Sequence, residues 1–260
     1  VFELNGDAKV TAFTDIKGRS AIIVDDFYRD PDEIRELALS LKYSDDPDLV
    51  AAHPGSRSYF ATTEVREKLY NIYFDLCSNK LWKGKVQKTQ LLEDGSFRIP
   101  LRNKIRPFNL EAFNSNWDIQ GFMVNNLNDS SLRKNPTGII PHQDYWENKP
   151  SSTARLQFGS VIFLNTPDEC AGGTNLYSWK GEMSIPVDWQ PEWMKGINND
   201  DVPFEYIKDK MNGNNPYTVE FEADMVYNRM FLYQADVLHC QNSALGMFTD
   251  YNRINQILFM

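Results

Sequence analysis

Along this chain the apolar residues fall mostly into short runs of strand length, with two stretches of helical period near the beginning. Val10 to Phe13 and Ala21 to Val24 predict strands. Asp30-Pro31-Asp32-Glu33 predicts a helix start, with an aspartate cap, proline at the first helical position and glutamate three residues after the cap. Ile34, Leu37, Ala38 and Leu41 then mark one apolar face. A second helix is predicted from Thr62 or Thr63, burying Val65, Leu69, Ile72, Tyr73 and Leu76. Both stripes are core, not a cofactor box. The segment from Asn79 to Asn116 mixes short strands with turns and has no pattern that places it.

Further along, Met230 to Leu238 predicts a strand that bends tightly into His239. Arg253 to Met260 predicts another, in which Arg253, Asn255, Ile257 and Phe259 share one face. A guanidinium placed beside apolar core residues is costly unless a carboxylate pairs with it. That carboxylate belongs either to the protein or to a bound dicarboxylate held bidentately. Between the strand blocks, Tyr177 to Tyr217 is a long insertion carrying Trp179, Trp189 and Trp193 among several prolines. Such insertions lie at the surface and often carry function. The tryptophans either cover a site, as a substrate platform, or anchor the loop.

Composition narrows the function classes. At 260 residues the chain can bury a substantial core, and a single domain is more economical than two. No run approaches the length of a membrane span, and the first residues lack a signal pattern, so a soluble protein is expected. The net charge of −9 argues against general nucleic-acid binding, which needs clustered lysine and arginine. Arg98, Arg102, Lys104 and Arg106 form one basic stretch, expected to be a solvated strand or loop. Cys77, Cys170 and Cys240 lack metal-motif spacing. Packed thiols fit a reducing cytoplasm.

The chemistry concentrates in His142-Gln143-Asp144 and His239. Read as a β-strand, this segment projects His142 and Asp144 to one face and Gln143 to the other. The chain has three histidines, His53, His142 and His239. His53 lies in a turn, Ala51 to Arg57, so His239 is the natural third ligand; Arg57 could reach the mouth of a site and bind an acidic group. Two imidazoles and one carboxylate leave coordination positions open, which suits Fe(II) better than the closed tetrahedron of structural zinc.

With these residues in place, the C-terminal half resembles the 2-oxoglutarate- and Fe(II)-dependent dioxygenases, in their prolyl-4-hydroxylase-like branch. Four blocks carry the resemblance in order: Gly121 to Asn126; Ile140 to Asp144; Val161 to Asn165 through the turn to Gly172-Gly173-Thr174-Asn175-Leu176; and Met230 to Met260. Ile22 to Tyr28, the helix after it and Pro54 to Arg57 are more loosely similar to the opening of a group of bacterial and phage oxygenase-like proteins.

The resemblance implies a mainly β protein with flanking helices, an α+β fold. Its core would be a double-stranded β-helix (jelly-roll, cupin-like) with N-terminal helices packed on one sheet. Residues 1–260 would form one oxygenase domain, with 1–118 as a helix and strand support layer and 119–260 as the catalytic core, interrupted by the 177–217 insertion. His142, Asp144 and His239 would be the metal ligands and catalytic residues. Arg253 would hold the distal carboxylate of 2-oxoglutarate, with Asn255 beside it. Asn125 or Asn126 would replace a tyrosine common on the preceding strand, which makes Asn126 a co-substrate contact. Tyr145, Trp146 and Trp179 would face a small-molecule or peptidyl substrate.

The implied reaction consumes O2 and 2-oxoglutarate, releases succinate and CO2, and hydroxylates an unactivated carbon. Two other classes remain open: a non-catalytic metal-binding β-helix protein, and a cupin-like enzyme that does not use the oxoacid. Oligomeric state is not encoded in any pattern found.

Overall fold

A computed structural model describes residues 1–44, 55–59, 90–91, 97–100, 120–125, 140–144, 158–185, 217–242, 247–248 and 250–259. Among these the protein is mainly β, with one α-helix. The strands are β1 (Lys9–Ile16), β2 (Arg19–Asp25), β3 (Ser56–Tyr59), β4 (Gln90–Leu91), β5 (Phe97–Pro100), β6 (Gln120–Asn125), β7 (Phe158–Phe163), β8 (Gly173–Trp179), β9 (Tyr217–Asp224), β10 (Met230–Gln234), β11 (His239–Asn242) and β12 (Arg253–Phe259). The helix α1 spans Pro31–Ser40. The predicted second helix, His53 and the basic residues Arg102, Lys104 and Arg106 lie outside the described residues.

Two antiparallel sheets result. The larger has nine strands in the order β3-β6-β12-β7-β10-β2-β1-β5-β4, and the smaller has three in the order β11-β8-β9. From the N-terminal part, β2 pairs directly with β10, setting Ile22 against Leu232 and Ile23 against Phe231.

Alternation along the strands gives the large sheet two apolar faces. On the outer face Val10, Ile22, Val24, Phe122, Ile162, Met230, Leu232, Ile254 and Leu258 form one core with Phe27, Tyr28 and the helix residues Ile34 and Ala38. The helix starts as its sequence dictates: Asp30 caps it by accepting the Glu33 N–H at 3.1 Å, and Pro31 opens it. Leu37 and Leu41 pack against the same core. Gln256, buried on this face, accepts from the Tyr28 hydroxyl at 2.6 Å, which offsets the cost of burying that oxygen.

On the inner face Ala21, Ile23, Val161, Phe163, Phe231 and Tyr233 form a second core with Leu176, Tyr177, Tyr217 and Ala223 of the small sheet. This inner face also carries Arg253, Asn255 and Ile257, in line with the alternation of the terminal strand. The turn into β8 depends on two glycines. A Cβ on Gly172 would lie 1.9 Å from the Asn242 carbonyl oxygen, and one on Gly173 2.0 Å from that of Ala223. That closeness lets β8 run between β9 and β11.

Two expectations change. Met230 to Leu238 is not one strand: β10 ends at Gln234, and a turn closed by Val237 N–H to the Gln234 carbonyl (3.1 Å) hands the chain to the small sheet. His142 to Asp144 joins no ladder. Pro141 has no N–H to offer one, so His142 forms a single bridge with His239, exchanging backbone bonds of 3.0 and 2.8 Å.

Candidate metal centre

The bridge is what builds the site. Asp144 N–H also donates to the Ala235 carbonyl at 3.0 Å, which holds residues 142–144 extended beside the turn between β10 and β11. His142 and Asp144 therefore face one way. Gln143 faces the other, buried, where its side-chain oxygen accepts the Ile185 N–H. The ligand atoms of His142, Asp144 and His239 all lie within 4.8 Å of one another, and His239 Nε2 is 3.3 Å from Asp144 Oδ2. Donors bound to one metal at about 2.1 Å and at right angles sit about 3 Å apart, so this group could hold a metal ion with little movement. The two imidazole rings are 4.6 Å apart, tilted by 52°.

Both histidines are oriented by the same local device. His142 Nδ1 lies 2.9 Å from the carbonyl oxygen of Ile140, and His239 Nδ1 lies 2.9 Å from that of Val237. A carbonyl can only accept, so Nδ1 carries the proton in each neutral ring and Nε2 presents its lone pair to the shared centre. Burial pushes His142 down to about 4, helped by His239 and opposed by Asp144, which keeps this imidazole neutral and able to ligate.

Beside the triad lies a cavity of about 70 Å³ between the two sheets, lined in part by Met123, Val161, Thr174, Tyr233, Gln241 and Ile257. Arg253 and Asn255 open into it from β12, as does Arg57 from β3. Arg253 is 3% exposed. Its Nη1 donates to Gln241 Oε1 at 2.6 Å, its Nη2 to the Gly173 carbonyl at 3.2 Å, and its guanidinium stands 5.7 Å over the Phe163 ring. Among the described residues no carboxylate pairs with it. Burial lowers it to about 10, so it stays charged at neutral pH.

Neutral amides surround this cation with unmet hydrogen-bonding capacity. Both polar atoms of Asn255, both of Asn125 and the Nε2 of Gln241 have no partner among the described residues. Asn125 stands directly opposite Arg253 in the β6–β12 register. Leaving a buried donor or acceptor unmade costs about 1–3 kcal/mol. Several on one wall, beside a guanidinium with no described carboxylate, fit a polar ligand better than a finished core.

The sequence-derived residues thus divide. His142, Asp144 and His239 come together, and Arg253 and Asn255 share the adjoining cavity. Trp179 does not line that cavity: it ends β8 with its ring against Tyr217, 5.1 Å between centroids. Asn126, Tyr145 and Trp146 lie outside the described residues, as does most of the 177–217 insertion. Cys240 is a packed thiol, 1% exposed, in the inner core.

Three residues escaped the sequence reading. Gln241 is two residues after His239 on β11, and the alternation that joined His142 to Asp144 would have found it. The Tyr233 ring lies against that of His239, centroids 4.4 Å apart and planes tilted by 44°. Gly159 leaves space beside Asp144, which no local pattern signals. No protein-family model matches this chain, and a search of curated proteins finds no match either. Among the described residues no helix is long and apolar enough to cross a membrane.

Proposed function

We propose that this protein is an Fe(II)- and 2-oxoglutarate-dependent dioxygenase of the prolyl-4-hydroxylase-like branch. It hydroxylates an unactivated carbon of an amino-acid or peptidyl substrate on a double-stranded β-helix. The observation that carries the reading is a combined one: two histidines and an aspartate converge with both Nε2 atoms presented, next to a buried arginine that no described carboxylate pairs with. A metal alone would explain the first half. A dicarboxylate bound beside the metal explains both.

The donor set fits the proposed cofactors. Two nitrogens and one carboxylate oxygen occupy one side of an iron ion and leave the other positions open, unlike structural zinc. Bound iron and 2-oxoglutarate supply the oxidising chemistry, in which one oxygen atom of O2 enters the substrate and the other leaves in succinate, with CO2 released.

The protein's own residues do the rest. Ile140 and Val237 carbonyls fix the tautomer and aim of the histidines. Arg253 grips the distal carboxylate, its fork held by Gln241 and Gly173. Asn255 and the second half of the Gln241 amide complete the cradle. Val161, Tyr233 and Ile257 keep water from the centre. A reducing cytoplasm suits both Fe(II) and the free thiols of Cys170 and Cys240.

Anaerobic titration of the apoprotein with Fe(II) and then 2-oxoglutarate tests this reading. A visible metal-to-ligand charge-transfer band should appear, and should be absent in His142→Ala and Asp144→Ala. Iron binding without the band would favour a cupin-like protein that does not use the oxoacid, and no metal binding would end the enzyme reading.

A further inference from the structure

Arg253 stands among amides. Gln241 follows His239 by two residues on β11, on the same face, and its Oε1 accepts from Arg253 Nη1 at 2.6 Å. Asn125 faces Arg253 directly across the β6–β12 ladder, and Asn255 follows Arg253 by two residues on β12. Both polar atoms of Asn125 and of Asn255 lack a partner among the described residues, as does the Nε2 of Gln241. For the two asparagines this holds whichever way round the amide lies.

Each of these amides has the shape of a carboxylate with NH2 in place of one oxygen. At Gln241 that one exchange would turn the existing hydrogen bond into an ion pair along the same path. The fold thus offers positions from which the protein could neutralise Arg253 itself, and it fills them with neutral groups. We infer that Gln241 is the specificity-determining residue of the co-substrate subsite: it aims the Arg253 fork without discharging it, which leaves the charge to an incoming carboxylate. The inference rests on the dioxygenase reading. Met123, Val161 and Ile257 wall the cavity that Gln241 and Arg253 share, so the charge is weakly screened there and separates an acid from a neutral chain end. The free Nε2 of Gln241 gives the same carboxylate a further donor.

The test titrates the Fe(II)-loaded protein anaerobically, by calorimetry, with three probes: 2-oxoglutarate; 2-oxopentanoate, whose chain ends in a methyl group where the distal carboxylate stood; and glutarate, which lacks the keto oxygen. Wild type should bind 2-oxoglutarate about tenfold or more tightly than 2-oxopentanoate. Gln241→Glu keeps the acceptor for Nη1 yet supplies the countercharge. It should weaken 2-oxoglutarate alone by about tenfold or more, removing the preference, with iron still bound and a melting temperature no lower than wild type. Gln241→Leu loses the acceptor but stays neutral, and should keep the preference.

A preference that survives in Gln241→Glu overturns the inference. So does equal loss in Gln241→Glu and Gln241→Leu, which makes Gln241 a mere support for the fork. If Gln241→Glu melts well below wild type, Asn125→Asp brings the same countercharge from β6, and a preference that survives there overturns the inference instead. Glutarate separates this result from the co-substrate reading. If 2-oxoglutarate gives no charge-transfer band, but glutarate binds wild type and not Gln241→Glu, the oxoacid reading falls and the role of Gln241 stands. If neither acid binds wild type, the inference falls.

Discussion

Gly159 and Asp144 meet closely: a Cβ on Gly159 would lie 3.1 Å from Asp144 Oδ2 and 3.0 Å from the Tyr233 ring, tight enough that one of them would have to give by a few tenths of an ångström. The glycine is on β7, the aspartate on the extended segment beside the β10–β11 turn, and Tyr233 is paired with Gly159 through the β7–β10 register. The carboxylate therefore packs against a surface that the missing side chain leaves open.

Gly159→Ala should displace Asp144 or Tyr233 at an overpacking cost of about 1–3 kcal/mol. Because Asp144 is one of three ligands, metal affinity should fall roughly tenfold or more, with only a modest change in melting temperature. Calorimetric metal titration of the variant checks this. Unchanged affinity would mean that Asp144 does not ligate from its observed position.

Arg253→Lys and Arg253→Ala should retain iron binding while raising the 2-oxoglutarate concentration required, about tenfold or more for lysine and further for alanine. Lysine keeps the charge but cannot supply the fork. Gln241→Leu should produce a smaller rise, since it removes the acceptor that orients Nη1. Titrating the charge-transfer band in each variant orders the three effects. An intact oxoglutarate affinity in Arg253→Ala would remove the arginine from the co-substrate site.

Asn165 holds the backbone on both sides of Arg253. Its Oδ1 accepts the Ile254 N–H at 2.8 Å and its Nδ2 donates to the Asn252 carbonyl at 2.9 Å, while Glu169, tied to Arg35 of α1 at 3.1 Å, steadies the same amide. Asn165→Ala should destabilise the protein by about 1–3 kcal/mol, the cost of leaving buried groups without their partners. Chemical denaturation measures it. The same variant should weaken oxoglutarate binding more than metal binding, because the clasp acts on β12 and not on the ligands.

The pH dependence of the metal-free protein follows from His142. Its folded value, about 4, lies below the ordinary histidine value of 6.5, so the unfolded chain takes up the proton first. Stability is then full above pH 6.5 and declines as pH falls from there towards 4, by on the order of 3 kcal/mol at most from this group. His142→Gln should flatten that decline in urea unfolding between pH 7 and 4. A profile identical to wild type would show that His142 titrates normally.

Much of the frame was legible because it is local. The Asp30 cap, the apolar run of β2, the alternation of β12, and the same-face placement of His142 and Asp144 depend on residues within a few positions of one another. Arg57 was visible as a candidate from its turn alone, but its burial on the inner face emerges only when β3 joins β6. Gly159 and Asn165 act on residues 15 and 88 positions away in sequence, counting to Asp144 and Arg253. No window of the chain encodes those meetings. The bridge that replaced the expected strand at His142 was also partly written locally, in Pro141.

The pairing of β2 with β10 sets a limit on how the molecule can be divided. A fragment beginning at residue 119 would retain all three candidate ligands and Arg253, yet it would strip the partner from β10. The backbone of Met230 to Tyr233 would become an open edge, with the apolar side chains of Phe231 and Leu232 beside it. Exposed strands of this kind recruit other chains. The ligand-bearing half is therefore expected to aggregate when expressed alone, and to regain solubility when residues 1–44 are supplied as a separate peptide that re-covers the edge.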